Sequence, residues 1–167
     1  MANDELQTYI NDHLGGSAAA VEMLEHLIGA AGDDADERRF FETLRAEIEA
    51  DRKTLEQLLE RVGGHRSAIR QVGGWLGEKL VSLKMRWDDP GGRRLNYLQA
   101  LETLALGVLG KRALWRVLGS TAGALPVLRG VDFAQLEARA QDQHDRLDAR
   151  RIAAGRRLFA ERQEAPS

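Results

Sequence analysis

Apolar residues recur along this chain at intervals of three and four, and glycine and proline divide them into five predicted helices. The first covers 4–31, with Leu6, Ile10, His13, Ser17, Val21, Leu24 and Ile28 on one stripe. "GDDADE" follows, a glycine to end that helix and aspartates to cap the next. The second, 36–62, carries Phe41, Leu44, Ile48, Asp51, Leu55 and Leu58 on its stripe and ends at "GGHRS". A third, 67–87, is marked by Ile69, Val72, Leu76, Leu80 and Leu83, with Gly73, Gly74 and Gly77 in its first half. The fourth, 95–118, is apolar nearly all round, which predicts burial on more than one side. The fifth, 132–160, shows Phe133, Leu136, Ala140, His144, Leu147 and Leu158. No alternating Val, Ile or Thr run reads as a strand. The chain is therefore expected to be one all-α domain over 1–167.

Connection lengths limit how these helices pack. Short turns join the first helix to the second and the third to the fourth, so each pair is antiparallel. Two architectures satisfy this. One is a plain up-down bundle. In the other the third helix, about 31 Å long at 1.5 Å per residue, climbs the outside as a crossover, and the remaining four make two antiparallel hairpins in which the second and fourth helices run the same way.

Composition removes several chemistries. With no cysteine among 167 residues, thiolate catalysis, zinc–thiolate centres and disulfides are excluded, and a cytoplasmic address is the default expectation. The 24 basic and 26 acidic residues are interspersed, for a net charge of -2, so no nucleic-acid partner is expected. "MANDELQTYINDHL" has acids where a secretory leader needs bases, and the longest strongly apolar segment is far short of the ~20 residues that span a bilayer, so neither targeting peptide nor membrane span is expected. Amphipathic faces left over from the core point to a homodimer or another protein partner.

A faint repeat, "FETLRAEIEADRKTL" (41–55) over "FAQLEARAQDQHDRL" (133–147), superposes Phe41 on Phe133, Leu44 on Leu136, Ala46 on Ala138 and Leu55 on Leu147. With the helix order, it makes the chain resemble the ferritin-like superfamily, including its small bacterial stress-associated members, over roughly 4–160. The resemblance implies a four-helix bundle with a crossover helix. It also implies a metal site, because metal-binding members place one Glu on each of two helices and a Glu-x-x-His pair on each of the others. This sequence contains no Glu-x-x-His. Gln141 precedes His144, Glu47 is followed three residues later by Ala50, and Glu49 by Arg52. Glu102 stands where the single Glu of the fourth helix would fall, while the stripe of the first helix offers Ser17 and Ala20. The expected function is accordingly non-catalytic, through binding or assembly. The alternative is an iron- or manganese-binding oxidase or storage protein with a reduced ligand set.

Six polar residues are candidates for the centre of such a bundle: His13, Glu47, Asp51, Glu102, His144 and Arg151. If the first hairpin closes around Asp33, His13 and Asp51 share a layer one turn apart. The first five could form a metal site or an acid–base pair, or a hydrogen-bonded network that fixes helix register. Glu102 is expected to face inward on a stripe with Leu98, Ala105 and Leu109, satisfied by Arg151, whose fork can give a carboxylate two bonds. Lys111 and Arg112 are read as cations that complement the C-terminal dipole of the fourth helix.

Overall fold

The computed structural model describes residues 2–64 and 91–160, together with residues 78 and 82. Among these, α1 (Ala2–Ala30), α2 (Ala35–Arg61), α3 (Arg93–Thr121) and α4 (Phe133–Phe159) account for almost all of the chain, with one turn of 3-10 helix at Pro126–Leu128 and no strand. The fold is thus all-α. Apart from residues 78 and 82, the predicted helix over 67–87 lies outside the described residues.

The helix ends follow the punctuation in the sequence. Gly32, at φ +56°, turns the chain after α1, and the Asp34 carboxylate then accepts the Glu37 N–H at 3.0 Å as the N-cap of α2. Asp132 caps α4 in the same way, accepting from the Gln135 N–H at 2.9 Å. At the end of α2 the Gly64 N–H donates to the Leu59 carbonyl at 2.9 Å and the Gly63 N–H to Glu60. Gly63, at φ +74°, takes the left-handed position that this closing motif requires.

Side-chain contacts give the helix directions. The Gln7 amide donates to the Val62 carbonyl at 2.8 Å, so the start of α1 meets the end of α2 and the two are antiparallel. Glu37, Glu47 and Asp51 of α2 meet Arg150, Arg146 and Arg139 of α4 in descending order, which makes that pair antiparallel too. Tyr97 of α3 reaches Glu37, and Lys111 reaches Asp51. Both pairs are 60 positions apart, so α2 and α3 run in the same direction in constant register. The ends joined by the 62–92 stretch therefore lie at opposite ends of the bundle, as both expected architectures require.

The core is built from one stripe of each helix. It includes Ile10, Leu24 and Leu27 of α1, Phe41, Leu44 and Leu58 of α2, Leu101, Leu114, Trp115 and Leu118 of α3, and Ala140 and Leu147 of α4, all fully buried or nearly so. Helix α3 corrects one expectation. It is buried along one face only, while Leu95, Leu106, Leu109 and Val117 stay exposed at 37–48%. Its apolar residues surround the axis, so composition alone offered no contrast to orient it.

Candidate functional site: a buried ion-pair centre beside an apolar cleft

Asp51 sits at mid-height on the stripe of α2 and is 1% exposed. A bare carboxylate there would be costly to keep charged. Three side chains from two other helices surround it. The Lys111 ammonium of α3 donates to Oδ2 at 2.5 Å, the Arg139 guanidinium of α4 donates to Oδ1, and the fully buried Gln143 amide of α4 donates to Oδ2 at 3.5 Å. Lys111 also donates to Oε1 of Gln143, which closes a ring of three residues from three helices. Burial pushes the Lys111 amine below the ordinary lysine range, and the neighbouring Asp51 charge opposes that shift.

Two further ion pairs flank this centre along the α2–α4 seam. One turn before Asp51, Glu47 accepts from Arg146 at 2.5 Å, and Arg146 also donates to Asp142 at 2.8 Å. Near the start of α2, Glu37 accepts from both Arg150 and the Tyr97 hydroxyl. Burial, reinforced by that bond to Glu37, pushes the Tyr97 hydroxyl well above the usual phenol range. The Arg150 guanidinium lies 3.9 Å over the Phe40 ring, so its apolar plane is covered while its edge is bonded.

A cleft of about 240 Å³ opens beside the centre, between α1, α2 and α3. Asp51 and Lys111 form its polar wall and His13 and Ser17 its α1 wall, while Ile48, Leu55, Leu104, Val108, Leu114 and Trp115 make it mainly apolar. His13 packs edge-on against Tyr9, and burial lowers its pKa below the usual 6.5 despite the nearby Asp12.

The six candidates from the sequence do not converge. Asp51 and His13 line one cleft. Glu47 belongs to the α2–α4 seam with Arg146. His144 is half-buried on α4, 3.5 Å from Asp145. Glu102 contradicts the inward placement. Its side chain is 55% exposed, and it approaches Arg151 only at 4.0 Å, while Arg151 is held by Asp148 at 2.7 Å. The buried stripe of α3 passes through Leu101, Thr103, Leu104 and Ala105, so position 102 falls on its outer side.

Lys111 is the second correction. It stands ten positions before the end of α3 at Thr121 and bonds a carboxylate of α2 rather than its own helix terminus. Arg112 pairs with Glu137 at 3.4 Å. Lys111, Arg139 and Gln143 were absent from the sequence candidates, although two carried a signal. Lys111 continues the spacing 104, 108, 111, 115, 118, and Gln143 continues 133, 136, 140, 143, 147.

Among the described residues no group of three or more His, Asp or Glu side chains could share a metal ion, and no helix is long and apolar enough to cross a membrane. Compared with models of protein families, with curated proteins and with solved structures, the chain matches none.

Proposed function

We propose that this protein is a non-catalytic helical bundle of ferritin-like topology that works through binding and assembly, with ion pairs at the bundle centre in place of metal ligands. The observation that carries this reading is the state of Asp51. Both its oxygens are taken by cationic donors from α3 and α4, so the carboxylate at the middle of the bundle is neutralised by the protein itself. Glu47 and Glu37 are likewise held by Arg146 and Arg150. A di-metal centre needs bridging carboxylates free of such partners, together with imidazoles on the same faces, and among the described residues neither set is assembled around Asp51. Two antiparallel hairpins with α2 and α3 parallel fit the superfamily's helix order. In this reading the 67–87 stretch is the crossover between those two helices.

Assembly through a second copy is part of the same proposal. Ile152 and Phe159 on α4 are 45% and 63% exposed, the latter at the helix end beside Leu158, and an isologous pairing would cover them. Interspersed charge and the lack of cysteine fit a cytoplasmic protein with no nucleic-acid partner.

The test is elemental analysis of protein produced with added iron and manganese and purified without chelators. The expected content is far below one metal per chain, and unchanged in Asp51→Asn. Stoichiometric iron or manganese that is lost in Asp51→Asn would replace this reading with a metalloprotein. Sedimentation measures the dimer, and a monomer at all concentrations would remove the assembly half.

A further inference from the structure

Six large apolar side chains are exposed among the described residues, and all of them stand on α3 or α4. Four, Leu95, Leu106, Leu109 and Val117, lie on α3 away from its buried face, over a strip about 33 Å long at 1.5 Å per residue. Phe159 of α4 continues the strip, since it lines one hollow with Leu95. The middle of the strip has the spacing of a helix-pairing seam, because Glu102, Leu106, Leu109, Ala113 and Arg116 alternate steps of four and three and all five are exposed. Its charged ends are poorly matched within the chain. Glu102 comes within 4.0 Å of Arg151, but that guanidinium gives two bonds to Asp148, at 2.9 and 2.7 Å. Arg112 and Arg116 share one carboxylate, Glu137, at 3.4 Å from each.

We propose that this strip is the surface on which a second copy of the chain docks, α3 against α3 in antiparallel orientation, about a twofold axis between Leu106 and Leu109. Residues equally far from the axis then meet. The four leucines of the two copies make the centre, and each Glu102 comes level with the partner's Ala113, whose methyl leaves room for it beside the partner's Arg112 and the partner's Arg116. The leucines alone place the axis, so the charge match is an independent check on it. Each Glu102 supplies the carboxylate that Arg112 and Arg116 lack when they share Glu137. A parallel pairing fails the same check, since it would set Glu102 against Glu102 and Arg116 against Arg116. The strip is about 10 Å wide, so it covers under half of the ~800 Å² per partner of a standard interface. The dimer should therefore be weak, dissociating in the micromolar range or above. This surface rests on the assembly reading and says where and how the two copies meet.

The experiment is sedimentation of the full chain from ~10 μM to ~1 mM, which should show a reversible dimer. Glu102→Arg and Arg116→Glu each act twice in a symmetric pair and should each raise the dissociation constant about tenfold, while the double exchange should return it to near the parent value. Within one chain these two residues are about 21 Å apart along α3, so only a contact between copies can produce that rescue. Ala113→Glu sets a carboxylate against the partner's Glu102 and should also weaken the dimer about tenfold. Because Ala113 is exposed, the melting temperature of that variant at high dilution should stay unchanged. A dimer that ignores these changes, or a double exchange no better than the single ones, would overturn this interface and leave the assembly reading standing. A monomer at every concentration would overturn both, and a lowered melting temperature in monomeric Ala113→Glu would put another part of the same chain on the strip.

Discussion

Lys111 of α3 and Asp51 of α2, 60 positions apart in the chain, meet at 2.5 Å in the middle of the bundle, with Asp51 only 1% exposed. The pair fixes more than an energy. It aligns two parallel helices axially, because a shift of either by one turn would leave a charge buried without its partner.

Removing that partner is the most informative change. Asp51→Ala should destabilise the protein by about 3–5 kcal/mol, since Lys111 and Gln143 lose their acceptor inside the bundle. A double-mutant cycle of Asp51→Asn with Lys111→Met, read by urea unfolding, should give a coupling of about 1–3 kcal/mol. Independent, additive effects would mean that the two residues do not meet in solution.

The outer pair should behave in the opposite way. Glu102 and Arg151 are 55% and 36% exposed at the side chain and stand 4.0 Å apart. Exposed pairs contribute about 0–1 kcal/mol. A cycle of Glu102→Gln with Arg151→Met should therefore show coupling near zero, and a large value would place Glu102 in a drier setting than the surface of α3.

Leu101 and Leu104 test the orientation of α3, at 0% and 3% exposure. Each leucine-to-alanine change should cost about 2–5 kcal/mol, whereas Leu106→Ala, on the 43% exposed face, should cost far less. Equal losses at all three positions in thermal or urea unfolding would show that α3 is covered all round.

His13 should make stability depend on pH. Burial holds its pKa below 6.5, so just under that value the folded protein binds fewer protons than the unfolded chain. Its contribution is complete above 6.5 and is lost as pH falls through the lowered folded value. Urea midpoints between about pH 5 and 7.5 should thus fall on acidification, and less so in His13→Gln. An identical slope in that variant would assign the effect to other groups.

The faint repeat proved to carry structural content. Its offset of 92 places Asp51 on Gln143, and these two residues bond to each other at 3.5 Å where α2 and α4 meet. Phe41 and Phe133, Leu44 and Leu136, and Leu55 and Leu147 are likewise buried in pairs. Asp51 was legible as a core residue because its helix has strong contrast between faces. Glu102 was misplaced because α3 has little.

By itself the sequence determined what depends on neighbours a few residues away. It set the all-α class, the caps at Asp34 and Asp132, the left-handed turns at Gly32 and Gly63, and the buried stripes of α2 and α4. Local backbone sterics and a period of 3.6 suffice for these. Only the tertiary structure decided which face of α3 turns inward, that Lys111 and Arg139 share the carboxylate of Asp51, and that Asp51 and Lys111 stand on the wall of a cleft between α1, α2 and α3. Those facts depend on the rotation and axial shift of one helix against another. Each residue turns a helix by about 100°, so a stripe misread by a single position exchanges a buried charge for an exposed one.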